Sequence, residues 1–242
     1  MAQKRLKSTT KNPATPSRTR LIEAAQHLIR AQGYSATSVE QICLRAGVTK
    51  GSFFHHFQNK DDLALAAVVY WQQTTTALTA AARYHEAADP LDRLLGYLDL
   101  RAAALTGDLA DTTCLLGALV QECYATHPAI RVACERALSA QGAALERDVA
   151  AAKRLYAPRA RWSAESVSRF IEAALQGSFI LAKAKQSPEV VRESIQHLRL
   201  TLRQLFQQEK ASEPVAARGR DLLASAVDSE VDNTPLQSHF VD

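Results

Sequence analysis

The 242-residue chain is short of helix breakers, with nine glycines and eight prolines. It also has almost no alternating Val/Ile/Thr runs of the kind that build strands. Ala, Leu, Arg and Gln, which favour helix, are abundant. The expectation is therefore an all-α protein. No apolar run approaches the roughly 18 residues a membrane-spanning helix needs. The first twenty residues, MAQKRLKSTTKNPATPSRTR, carry basic groups but no apolar h-region, which argues against a secretory signal. Four cysteines, Cys43, Cys114, Cys123 and Cys134, form no CxxC pair and no metal-ligand spacing, so reduced thiols in a cytoplasmic protein are expected.

Catalytic signatures are missing as well. There is no GxSxG, no GxxxxGK[ST] and no GxGxxG. HEAAD at 85–89 opens like HExxH, but Asp89 stands where the second histidine belongs. The seven histidines form no metal constellation. The chain is expected to be no enzyme, with no metal and no cofactor.

At 47% hydrophobic and 22% charged residues, the composition suits a globular chain with a real core. The net charge of +4 is unevenly spread. Residues 1–60 hold ten Lys/Arg against two Asp/Glu, residues 61–210 hold seventeen of each, and residues 211–242 hold two against six. The basic charge lies in the first quarter, where it can serve a polyanion-binding module or be a solvated tail.

Residues 1–16 lack periodicity and read as a flexible basic arm. Leu21, Ala25, Leu28 and Ile29 then make one helical face, ended by Gly33. Thr37 and Glu40 in TSVE fit a capping box for a short helix. After the AGV turn, Thr49 caps a second short helix through Phe57, and Asn59 with Asp62 open a long one from about 60 to 84. Two short helices joined by a tight turn are the helix-turn-helix signature. Further helices are expected from Asp89-Pro90 to about 106, from Asp111 or Thr112 to about 125, from 127 to 156, from 163 to 186, and from Ser187-Pro188 to about 210. The acidic, aperiodic 211–242 reads as a disordered tail.

VTKGSFFHHFQNKDDL, residues 48–63, mixes rings and cations. Phe53 and Phe57 lie at i and i+4, so both can pack against Leu28, Ile42 and Leu44 or their neighbours. Lys50, Phe54, His55 and His56 are left to project elsewhere. A reading helix in a major groove needs both kinds of surface. The alternative is that Phe54 and His55 merely complete the packing.

The stretch TRLIEAAQHLIRAQGYSATSVEQICLRAGVTKGSFFHHFQNKDDL (19–63) resembles the N-terminal domain of the TetR/AcrR family of bacterial transcriptional regulators. The matching features are the AA..LI...GY..TSV..I frame, the AGVTKGSFFHHF core and the NKDDL that follows. Where the family commonly carries Tyr in this core the chain has Phe54, which offers no hydroxyl to a phosphate. The resemblance implies a helix-turn-helix domain over 17–62 and a larger effector-binding and dimerisation domain over 63–210. It also implies a homodimer on double-stranded, palindromic operator DNA, usually as a repressor, released by a small-molecule effector. Carried over by position, DNA contacts would come from Thr37, Thr49, Lys50, Gly51, Ser52, Phe54, His55, His56 and Lys60.

In the body, Val191, Ile195, Leu198, Leu202 and Leu205 make an a/d seam. Ile171, Ala174, Leu175 and Ser178, in line with Val167, form a second stripe. The family resemblance puts the dimer interface on these last two helices, although periodicity alone equally allows burial within one subunit. DTTCLLGALVQECYATHPAIR (111–131) resembles segments of family members that answer reactive electrophiles or unsaturated acids. That makes Cys114, Cys123 and Tyr124 the effector-site candidates, with Cys114 either a sensor thiol or a buried, inert cysteine. The competing function is a helical interaction protein without DNA binding.

Overall fold

Capping chemistry sets the first four helices of this computed structural model, in which residues 15–207 are described. Most of the expected arm (residues 1–14 of 1–16), the last residues of the final expected helix (208–210) and the expected acidic tail (211–242) lie outside the described residues. α1 (Ser17–Gln32) ends at Gly33, whose φ of 93° suits glycine. α2 (Val39–Ala46) opens with a capping box one residue later than Thr37–Glu40 would give. Ser38 Oγ accepts the Gln41 N–H, and Gln41 Oε1 accepts the Ser38 N–H. Thr37 is instead buried, its hydroxyl donating to the Gly33 carbonyl at 2.6 Å. A carbonyl stranded at the end of α1 draws it inward.

Gly47 takes the left-handed conformation at φ 63° and turns the chain into α3 (Lys50–His56), capped by Thr49. α4 (Lys60–Ala80) starts under Asn59, whose side chain accepts the Asp62 N–H. It stops four residues short of Tyr84. That tyrosine packs on Gly96 and faces Tyr97 edge-on, within a single 3-10 turn over Arg83–Glu86. The expected domain boundary at 62/63 falls inside α4, so one continuous helix belongs to both head and body.

The body follows as α5 (Pro90–Ala103), α6 (Leu115–Cys123), α7 (Pro128–Tyr156), α8 (Ala164–Lys185) and α9 (Glu189–Gln207). α6 begins later than Asp111 or Thr112. Asp111 cannot cap it, because its carboxylate is bonded to His27 and Arg30 of α1, and residues Leu109–Thr112 form a 3-10 turn. Among the described residues there is no strand.

One hydrophobic core runs through head and body. In the head, Phe53, Phe57 and Ile42 close over Leu21, Ile22, Ile29 and Leu63. Leu44 is not part of this packing: it is 78% exposed. In the body, α8 packs on α7 and α9, and α9 on α5. Ile171, Leu175, Ser178, Val191, Ile195, Leu198 and Leu202 are all buried inside the single chain, with Ala174 and Leu205 half-buried. The two stripes expected at a dimer interface are therefore intrachain core. The amphipathic period is satisfied by the helix's own neighbours before any second chain arrives. A different row on α8 is outward: Phe170, Ala173, Gly177, Leu181 and Ala184; on α9, Leu200 is also exposed.

Phe53 has no exposed surface, so Phe53→Ala should lower stability by about 3–5 kcal/mol. Ser38→Ala should cost about 1 kcal/mol through loss of the cap. Urea denaturation of the two variants checks both values, and the ranking fails if Ser38→Ala is the costlier change.

Candidate nucleic-acid interface

The buried Phe53–Phe57 pair anchors α3 to the head and so determines which side chains face out. Thr49, Lys50, Gly51, Phe54 and His55 are exposed along one surface, Phe54 by 57%. Gly51 would place an added Cβ no nearer than 3.8 Å to any other group, leaving the backbone open to close approach. Ser52 is half-buried. Lys50 pairs with Glu40 of α2. Their mutual hydrogen bond raises the lysine pKa and lowers that of the glutamate. Both groups are on the surface, where an ion pair is weak, so the ammonium can exchange Glu40 for a phosphate.

Three of the expected contacts have duties inside the head. Thr37 is sealed away as described. His56 Nε2 is 2.7 Å from the Ser17 hydroxyl and ties α3 to the start of α1. Lys60 donates to the carbonyls of Tyr34 and Thr37 at 3.0 and 3.1 Å and sits 4.1 Å from the Tyr34 ring centroid. Its ammonium satisfies carbonyls left open by the turn between α1 and α2.

That turn is also held from the other side. Glu122, near the end of α6, gives one carboxylate oxygen to the Tyr34 N–H and the other to the Ser35 N–H, each at 2.9 Å. Two successive amides make a small anion nest. A Cβ on Gly33 would lie 2.2 Å from Glu122 Oε1. Burial works to raise the Glu122 carboxyl, but bonds from Ser35 and Tyr34 and the charge of Lys60 outweigh it and hold it below its ordinary value. Around this clamp, Tyr34 bonds to Asp61, which lies 3.9 Å from His127 of α7, while Arg30 and His27 bond to Asp111. These partners are 27 to 88 residues apart in sequence, and no local pattern could have paired them.

The expected effector residues are not brought together. Cys114 lines a cleft of about 320 Å³ between α1, α6 and α8. Tyr124 lines a separate cleft of about 570 Å³ with Arg131, Gly142 and Glu172. Cys123 and Cys134 are fully buried, and burial pushes the Cys134 thiol up to about 12. The nine-residue spacing of Cys114 and Cys123 is the reason: it corresponds to about two and a half helical turns, which puts them on opposite sides of α6.

Two short helices around a left-handed glycine, the second with an open polar and aromatic face, define a helix-turn-helix head on a helical body. The family described as "Bacterial regulatory proteins, tetR family" matches residues 21–67, and "Tetracyclin repressor-like, C-terminal domain" matches residues 90–198. The chain belongs to the TetR family of bacterial regulators. It is 32% identical over 102 residues to the transcriptional regulator AcuR of Cereibacter sphaeroides, covering 42% of this chain and 47% of that protein. It is 34% identical over 82 residues to the HTH-type regulator TtgR of Pseudomonas putida, covering 34% and 39%. The chain thus spans less than half the length of these two relatives. A regulatory protein TetR from Rhodobacter sphaeroides shares the fold, with a TM-score of 0.69, 23% identity, and 76% of this chain and 98% of that one covered. These relatives are regulators rather than enzymes.

The clamp makes two measurable demands. Gly33→Ala places a Cβ against Glu122 at a glycine-type φ, and should cost about 1–3 kcal/mol in urea unfolding. Glu122→Gln weakens the clamp only where the wild-type carboxyl is ionised. A folded pKa below the unfolded one stabilises at higher pH and loses that contribution on acidification. The stability gap between wild type and Glu122→Gln should therefore be full near neutrality and close as pH falls below the ordinary 4.5. A gap independent of pH in thermal melts would contradict it.

Proposed function

We propose that this chain represses transcription in the cytoplasm by binding a palindromic operator as a homodimer, and that a small molecule in the body releases it. The observation that carries the reading is the α3 face: Thr49, Lys50, Gly51, Phe54 and His55 all open to solvent over a sealed Phe53–Phe57 base. Such a face can enter a major groove, with Thr49, Ser52 and Lys50 meeting phosphates or base edges and Phe54 lying against a thymine methyl. His56 and Lys60 contribute chiefly by holding α3 and the turn in place. The basic arm adds charge for the backbone.

Dimerisation supplies the second reading head, about 34 Å away for adjacent turns of duplex. The outward row of Phe170, Ala173, Gly177, Leu181 and Ala184, with Leu200, supports α8 and α9 as the contact. The row is apolar and small enough in the middle for helices to approach closely. Release follows if the effector prefers a body conformation in which α4, shared by head and body, sets the heads at a spacing that misfits the operator. The ligand can shift that balance only by its differential affinity for the two states.

Selection from random duplexes should yield an inverted repeat. Binding to it should weaken steeply with salt, and Lys50→Met should reduce the log–log slope by about 1 as one phosphate contact is lost. A helical interaction protein would instead enrich no repeat and show no salt-dependent duplex affinity. Nothing lies within 4 Å of a Cβ built on Gly177, so Gly177→Arg should keep the helical fold of each subunit, as read by circular dichroism. It should convert the dimer to monomer in sedimentation. A dimer unchanged in that variant places the contact elsewhere.

A further inference from the structure

The cleft between α1, α6 and α8 holds a cation, Lys183, and one carboxylate, Glu122, that is already bound to two backbone amides. Gln176, Phe179 and Lys183 lie at i, i+3 and i+7 on α8 and all line it, facing Cys114 and Gly117 of the α6 region and Gly33 of α1. Lys183 is half-buried and, among the described residues, has no hydrogen-bond or ion-pair partner. The neighbouring carboxylates are already committed. Asp111 is bonded to Arg30 and His27, and Glu122 to the Tyr34 and Ser35 amides. Burial, with the nearby Arg30, lowers the Lys183 pKa, and the opposing charge of Glu122 only partly offsets this, so a further anion beside the ammonium would favour its charged form. The Gln176 amide also has no partner there among the described residues, its Oε1 turned toward Gly117.

We propose that this cleft binds a small organic carboxylate, its anion held by the Lys183 ammonium and the Gln176 amide and its carbon chain against Phe179 and Ile29. The volume of about 320 Å³ suits a ligand of a few to about a dozen heavy atoms. A charge-assisted bond in a part-dry cleft supplies orientation and selectivity for an acid over its amide. The same cleft is walled by Gly33 and Glu122. A ligand filling it bears directly on the clamp that holds the turn between α1 and α2. Its negative charge also repels the Glu122 carboxylate that the two amides hold. Occupancy is thus coupled to the reading head through one carboxylate, without passage through the body core. The inference rests on the proposed effector control and gives it a site, a ligand class and a transmitting residue.

The test uses the full chain and needs no DNA. Acetate, propionate, butyrate and benzoate are titrated calorimetrically against chloride at matched ionic strength, with propionamide and benzamide as neutral partners. At least one acid should bind saturably at one site per chain, with its amide about tenfold weaker or more. Lys183→Met should weaken the acid by about tenfold or more, and Lys183→Arg should keep most of the affinity. Amide exchange at Tyr34 and Ser35 should speed up on saturation, and should already be fast in Glu122→Gln without ligand. No saturable binding of any of these acids, or equal binding by Lys183→Met, overturns the site. Binding without faster exchange at Tyr34 and Ser35 overturns the transmission. Operator selection is unaffected by either failure, so the DNA-binding reading is judged separately.

Discussion

Two amide N–H groups in the turn after α1, those of Tyr34 and Ser35, take their acceptor from the body. Glu122 reaches across from α6 to take both, while Lys60 satisfies carbonyls of the same turn. A helix C-terminus strands its last carbonyls, and the amides of the turn beyond it have no helical partner either, so both kinds of group are met by side chains here. Because opposite faces of one turn are satisfied by α6 and α4, the angle of the head on the body is set by hydrogen bonds as well as by apolar packing. Apolar contact alone would permit sliding. Directional bonds to a carboxylate permit little.

This arrangement explains how a small head can be both firmly built and adjustable. Its interior is dry and well filled, with Phe53 and Phe57 pinning α3 and Ser17–His56 tying its end to α1. Its attachment to the body, by contrast, includes polar links at its edge: Glu122 to the turn, Asp111 to His27 and the buried Arg30, and His127 near Asp61. The division of labour packs the reading face rigidly and makes its orientation depend on a few directional bonds, each of which rests on one charged group. α4 spans both parts, and several threonines in its second half bond back to carbonyls three and four residues earlier, a pattern that bends helices.

The body shows why amphipathic stripes are ambiguous. The heptad on α9 and the Ile171–Leu175–Ser178 stripe on α8 are the most regular features in that half, and both are consumed within the chain. The row left outside is less regular and richer in small residues. Regular apolar spacing reports that a face is covered, not by which molecule.

Fold class, the number and order of the helices and the helix-turn-helix were legible in the residues, because caps, glycines and 3.6-residue periodicity are local quantities. The α3 face was legible for the same reason: once Phe53 and Phe57 are assigned inward, helical geometry sends Lys50, Phe54 and His55 out. Tertiary structure decided the rest. It turned Thr37 and Lys60 inward to meet stranded carbonyls, took Asp111 from the start of α6 to pair with α1, split Cys114 from Tyr124, and left Lys183 in a cleft whose carboxylate, Glu122, is engaged by two amides. Each of these depends on which backbone or charged group, dozens of residues away, happens to lack a partner, and that need arises only once the helices have packed.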